Sequence, residues 1–278
     1  MKIYAIKNNF LKADNIIGYL FYFNSDRSFC IELKEGVSDL DMTLFFAAFT
    51  QKGIYTLDPE WSRRWVEGRI VPRERQNLGM ILRAEGLKEY DEHRLLVLSG
   101  GECAQDDLCI VPTTEDHMEA WAVKRMAHRL TLAVALPEYR LLIALRDKSV
   151  YTVAMKKRIR AYTQAVKNAR KLQDILDDPS RFSGVRLISG GSGIVFEENV
   201  YVMANGLVEA GERCPFDSDG LRAIVAGTVM DTAQICEEHN ITRQYVNRLA
   251  QKGALPDITL SGRSRLYMRT DVEKAFGN

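Results

Sequence analysis

Residues 235–257 read "ICEEHNITRQYVNRLAQKGALPD", two polar helical segments separated by His239-Asn240-Ile241 and stopped by Gly253 and Pro256. Asp231 is placed to cap the first segment, with Gln234 three residues on as in a capping box. Asn240 sits where the chain must turn sharply, and Asn tolerates the left-handed backbone better than other non-glycine residues. Thr242 is placed to cap the second segment. Val246 and Leu249 then face inward, with Ile241 and Leu255, and the opposite side carries Arg243, Gln244, Tyr245, Asn247 and Arg248. Those are the hydrogen-bond donors and the stacking ring that can reach base edges and phosphates in a major groove.

The next residues extend the pattern. "DITLSGRSRLYMRT" alternates about a turn at Ser261-Gly262, which predicts a short hairpin. The alternation puts Arg263, Arg265, Tyr267 and Arg269 on one face and Leu266 and Met268 on the other. Thr270 is expected to open a last helix, with Glu273 at the capping-box position and Val272 and Phe276 inward. From Thr242 to Arg269 the cations are Arg243, Arg248, Lys252, Arg263, Arg265 and Arg269, against Asp257 alone. Helix, turn, basic helix and basic wing is the layout of a winged DNA reader.

The run "MDTAQICEEHNITRQYVNRLAQKGALPDITLSGRSRLYMRTDVEKAF", residues 230–276, resembles the excisionase-like and MerR-like winged helix-turn-helix domains of bacteria. In those domains a small-residue helix, a Gly-Val-Ser-Arg turn and a helix ending Lys-Gly-x-Leu-Pro come one after another. Asn240-Ile241-Thr242-Arg243 stands at the turn and Lys252-Gly253-Ala254-Leu255-Pro256 at the ending. The chain departs from the family at Asn240, where Gly is usual, and at His239, where an aliphatic residue is expected. The resemblance implies duplex DNA as partner and a reading set of Thr242, Arg243, Gln244, Tyr245, Asn247, Arg248, Lys252, Arg263, Arg265 and Tyr267. The alternative is a helical hairpin used for docking, with solvated arginines.

Charge is informative only locally. Lys and Arg total 38 against 37 Asp and Glu over 278 residues, so any nucleic-acid contact must come from a patch. The five cysteines are scattered without a C-x-x-C, which argues against a disulfide framework or zinc site and fits a reducing cytoplasm. No cofactor, metal site or membrane span is expected, and the chain is expected to be cytoplasmic.

The length allows two or three domains, and the patterns predict an α+β class. Residues 1–112 form a first α+β block. Its strands are "IGYLFYF", "SFCIEL", "RLLVLS" and "DLCIV", with a helix in "SDLDMTLFFAAF" capped by Ser38 or Asp39 and another in "PRERQNLGMILRAEG" with Pro72 in its first turn. Residues 113–136 read as a connecting helix capped by Thr113 or Thr114. Residues 137–212 form a small α+β domain. It has a hairpin turning at Asp147-Lys148, a long helix through Ile159, Tyr162, Val166, Ala169 and Leu172 closed by Asp178-Pro179, a second hairpin around "GGSG", and a strand in "VYVMANGL". Residues 213–227 read as a linker and 228–278 as the DNA-binding domain.

"RIVPRERQNLGMILRAEGLKEYDEHRLLVLSGGECAQDDLCIVP", residues 69–112, resembles the N-terminal subdomain of HipA-type kinases in its Pro-x-x-Arg helix, "GL-x-x-YD", Leu-Leu strand and Gly-x-Cys-Ala loop. The phosphate loop, its lysine and the catalytic-loop Asp of a kinase body have no counterpart, so the resemblance implies a docking lobe. Residues 176–196 resemble a small bacterial domain of unknown function through Leu176-Asp177-Asp178-Pro179-Ser180-Arg181-Phe182, Val185 to Leu187 and Gly193 to Phe196. That family has a shorter loop where this chain carries a long basic helix, and the match implies fold alone.

The other clusters predict structure rather than chemistry. "SGGSG" at 189–193 opens no helix and lacks a following Lys-Ser/Thr, so a turn is expected. Glu102, Asp106 and Asp107 beside Cys103 and Cys109 have no His nearby and are expected to be solvated. Lys156, Lys157, Arg158, Arg160, Lys167, Arg170 and Lys171 form a basic helix face, an auxiliary phosphate surface at most. Trp61 and Trp65 with Arg63, Arg64 and Arg69 read as core indoles under surface arginines. The expected protein is a non-enzymatic, homodimeric DNA-binding regulator. The alternative is an interaction module, antitoxin-like or kinase-docking, that holds a protein partner through residues 1–112.

Overall fold

The computed structural model describes residues 1–11, 15–38, 40–157, 166–197, 199–258 and 265–276, with the side chains of 157 and 166–169 left out. It is an α+β protein whose contacts divide it into two compact units, Met1–Cys214 and Pro215–Asn278. Among the described residues no helix is long and apolar enough to cross a membrane.

The first unit begins with β1 (Lys2–Asn8), β2 (Ile16–Phe23) and β3 (Ser28–Leu33), then α1 (Leu44–Thr50), β4 (Thr56–Leu57), α2 (Pro59–Glu67), α3 (Leu78–Ala84), α4 (Glu92–Leu98) and β5 (Leu108–Thr113). The strands form one antiparallel sheet in the order β4-β3-β2-β1-β5, with Tyr4 opposite Leu20 and Leu20 opposite Ile31. A strand buried on both faces carries an unbroken apolar run rather than an alternation, and "IIGYLFYF" is such a run. Leu20 and Tyr22 face a core with Phe46, Trp65, Val66, Leu95 and Leu96 from α1, α2 and α4. Tyr19, Phe21 and Phe23 face the other way, against Met118, Ala122 and Met126. Each fully buried large apolar side chain stabilises the fold by roughly 1.5–3 kcal/mol.

Those methionines flank and belong to α5 (Ala120–Ala127), which is followed by β6 (Leu130–Leu136), β7 (Arg140–Leu145), β8 (Val150–Ala154), α6 (Val166–Ile175), α7 (Pro179–Ser183), β9 (Arg186–Leu187), β10 (Gly193–Phe196), β11 (Val200–Met203), α8 (Ala204–Ala210) and β12 (Glu212–Arg213). Two antiparallel sheets, β12-β8-β7-β6 and β11-β10-β9, share a core with Leu172, Ile175, Phe182 and Leu207. The glycine pair of "SGGSG" makes close packing possible here. Gly190 and Gly191 lie at φ +75° and +74°; a Cβ on Gly190 would stand 2.1 Å from the Phe23 ring, and one on Gly191 2.1 Å from the Leu130 carbonyl.

Several expectations need correction. Residues 1–214 form one compact unit, with separate cores on the first sheet and on the two later sheets. "RLLVLS" is helical, in α4: Asp91 caps it by accepting from Arg94 N at 3.0 Å, and leucine favours helix when a cap starts one. Thr43, not Ser38, caps α1, and the alternative Asp39 lies outside the described residues. The helix expected from Pro72 is confined to α3, with Gly86 at φ +66° just beyond its end. The connecting helix is only α5, and Leu130–Leu136, expected to belong to that helix, is a sheet strand. Asp178-Pro179 starts α7 instead of ending α6, which stops at Ile175. The basic-helix positions 158–165, with Ile159 and Tyr162, lie outside the described residues.

The second unit holds α9 (Ser218–Thr228), β13 (Val229–Asp231), α10 (Thr232–His239), α11 (Arg243–Gln251), β14 (Leu266–Met268) and α12 (Arg269–Phe276). The expected linker 213–227 is therefore mostly helix: Asp217 caps α9 by accepting from Gly220 N at 2.8 Å. Helix α9 packs beside β13 and α12 and leaves Ile224 and Val225 exposed.

Candidate nucleic-acid interface

Six side chains centre the second unit: Met230, Ile235, Val246, Leu255, Tyr267 and Val272. Strand β13 pairs antiparallel with β14, Met230 opposite Tyr267, and so ties the strand that leads into α10 to the strand that leads into α12. Asp231 and Gln234 form the reciprocal capping box, each bond 2.8 Å long. Asn240 ends α10 at φ 50°, ψ 47°, in the left-handed region. Ile241 N then donates back to Cys236 O at 3.1 Å. Thr242 caps α11, its hydroxyl accepting from Tyr245 N at 3.3 Å. The His239 ring lies 5.1 Å from that of Phe276.

This turn fixes how α11 rolls. Val246 is wholly buried, and Leu249 and Ala250 pack against the core. Arg243, Gln244, Asn247, Arg248 and Lys252 are exposed, as is Gln251, which was not in the expected set. Arg248 lies over the Tyr245 ring at 5.0 Å, and that ring approaches Phe276 at 6.2 Å, so Tyr245 is part surface and part support. Among the described residues Arg243, Arg248 and Lys252 make no ion pair with an acid, which leaves three cations on one helix unneutralised.

The wing differs from expectation. Arg263 and the turn at Ser261-Gly262 lie outside the described residues. Arg265 stands 3.9 Å from Asp257, and Arg269 pairs with Glu238 of α10 at 2.8 Å. The local charge count missed Glu238 because that acid precedes Thr242 in the chain. Tyr267 is a second correction: it is wholly buried, so it cannot present its ring to a ligand. The two-residue alternation of β14 holds with its faces exchanged, because pairing with β13 turns Tyr267 toward the core and leaves Met268 exposed.

The other clusters resolve into structure. Trp65 is buried under Arg69, whose guanidinium lies 4.1 Å over the ring and donates to the Gly101 carbonyl at 2.9 Å and to Asp106 at 2.5 Å. Asp106 is thus an anchor for a buried arginine, which corrects the solvated reading. Arg64 covers Trp61 at 4.5 Å and pairs with Glu60, while Arg63 pairs with Glu92. Of the basic helix face, Lys156 lies 3.8 Å over the Tyr139 ring. Among the described residues no three metal-ligating side chains converge. No family model, curated protein or solved structure matches this chain.

Proposed function

We propose that the protein is a cytoplasmic DNA-binding regulator that lays α11 into the major groove of duplex DNA, in the manner of a winged helix-turn-helix. The observation that carries this reading is the roll of α11. With Val246 buried, one exposed face holds two arginines, a lysine, a glutamine and an asparagine, and those three cations have no acidic partner among the described residues. Asn247 and Gln244 are amides suited to adenine edges, and Arg243 and Arg248 to guanine edges or phosphates. The hydroxyl of Thr242 is committed to its cap, so its part is to fix the helix start.

So few phosphate contacts give a dissociation constant of about 10⁻⁴–10⁻⁶ M at physiological salt. The proposal therefore includes a homodimer engaging two half-sites. The test is fluorescence anisotropy with duplex from the gene's own upstream region and a scrambled duplex, across a salt series. Specific binding is expected, with a salt slope that falls by about two in Arg243→Ala/Arg248→Ala. An unchanged slope in that variant would remove α11 from the interface, and a monomeric mass at binding concentrations would remove the dimer.

A second reading, a protein partner held through residues 1–112, is favoured by Phe10, Leu40 and Leu44, which are 80%, 95% and 91% exposed. Asn8 tethers the two loops concerned by donating to the Asp41 carbonyl at 2.8 Å. On this reading the double arginine variant loses DNA and keeps the partner.

A further inference from the structure

A cavity of about 490 Å³ opens in the first unit, within the size range of small-molecule sites. One wall is α5 with its C-terminal cap, where Trp121, Lys124, Arg125 and the capping His128 face it; Lys34 and Glu35, just beyond β3, and Asn205 of α8 complete the lining. The site joins elements far apart in sequence, and its framework is held by bonds within the protein. The Trp121 indole N–H donates to Glu119, whose carboxylate also pairs with Lys34 at 3.1 Å. Arg125 donates to the Leu33 carbonyl at 2.6 Å and to Glu35 at 2.7 Å, and lies 3.4 Å from Glu32.

Those bonds decide what the cavity can take. The planar fork of an arginine suits a carboxylate, but the fork of Arg125 is already engaged. Lys124 and His128 are one helical turn apart on the same face and without an ion pair among the described residues. An ammonium and an imidazole are point donors that suit the tetrahedral oxygens of a phosphate. The volume exceeds what a bare phosphate fills, and the indole edge and the Asn205 amide offer contacts for an organic remainder.

We propose that this cavity binds a small phosphate monoester, its phosphate held by Lys124 and His128 and its organic part lying toward Trp121 and Asn205. The site lies wholly in the first unit and does not depend on the DNA reading. The experiment titrates the full chain, without DNA, with adenosine 5′-monophosphate, inorganic phosphate and adenosine as probes. Heat is followed by calorimetry, and the Trp121 indole N–H by NMR, its signal assigned with Trp121→Phe. A saturable one-to-one shift with the monophosphate is expected, weaker with inorganic phosphate and absent with adenosine. Lys124→Ala/His128→Ala is expected to weaken it at least tenfold with an unchanged melting curve; should that variant unfold, Asn205→Ala is expected to weaken the monophosphate and spare inorganic phosphate. No saturable shift, equal affinity for adenosine, or wild-type affinity in either folded variant overturns the proposal. So does a loss confined to duplex binding, which would make the cations part of a DNA surface.

Discussion

Arg129 reaches Glu32 across 97 residues of sequence, Nη2 to Oε1 at 3.2 Å, with both side chains almost fully buried. The pair links the residue just before β6 to β3 of the first sheet, and the guanidinium also lies 4.3 Å over the Phe21 ring. Glu32 is well served, since Thr56 donates to it at 2.7 Å. Arg129 is not: its Nε and Nη1 have no partner among the described residues.

Such a pair is costly to break and less costly to replace. Glu32→Leu leaves a buried guanidinium alone and is expected to lower stability by about 3–5 kcal/mol in urea unfolding. Glu32→Leu/Arg129→Met is expected to recover much of that loss. If the double variant loses as much as Glu32→Leu and Arg129→Met lose in sum, the pair is not coupled and its structural role is mistaken.

Two buried titratable groups pull stability in opposite directions with pH. Burial pushes the Asp58 carboxyl from 3.8 up to about 6, although it caps α2 by accepting from Trp61 N. Its contribution is full below about pH 4 and is lost as pH rises through 6. Burial, with the charge of Lys2 adding, pushes the His93 imidazole down from 6.5 to about 4. Its contribution is intact above 6.5 and is lost as pH falls toward 4. Relative to the wild type, Asp58→Asn is therefore expected to gain stability between about pH 4.5 and about pH 6.5, by at most roughly 1.4 kcal/mol per pH unit. His93→Gln is expected to show the reverse trend over the same window. Denaturation midpoints at both ends measure it, and parallel curves for all three proteins would refute both assignments.

Tyr267 offers a separate check on the second unit. Its hydroxyl is buried with no partner among the described residues. Tyr267→Phe is expected to change stability by less than about 1 kcal/mol, in either direction, while Tyr267→Ala is expected to cost about 3–5 kcal/mol. Duplex affinity is expected to stay at the wild-type level in Tyr267→Phe. Lost DNA affinity with unchanged melting would return this ring to the reading face.

The features legible in the chain were those whose cause is local. The Asp231–Gln234 box, the left-handed Asn240, the Thr242 cap and the inward Val246 all depend on side chains within a few residues of one another. The Asp147-Lys148 turn was legible for the same reason: Asp147 accepts from Ser149 N at 2.9 Å. Features set at long range were not legible. Nothing near Tyr267 tells which face of β14 will meet β13, and nothing near Arg269 shows that Glu238 will neutralise it. Leu130–Leu136 has enough leucine and alanine for a helix, and only its register with β7 makes it a strand. The cavity cations were one turn apart on α5 in plain view, but their setting depends on Asn205, far along the chain.

The distance between Glu32 and Arg129 also has a meaning in time. At about 5–20 residues per second of synthesis, the carboxylate leaves the ribosome roughly 5–20 s before its guanidinium partner. The Gly190–Gly191 turn that packs on Phe23 comes later still. During that interval one face of the first sheet has no cover from its own chain. The order of emergence therefore leaves Tyr19, Phe21 and Phe23 without Met118, Ala122 and Met126 until α5 has been made, and a chain truncated before α5 would inherit that exposure permanently.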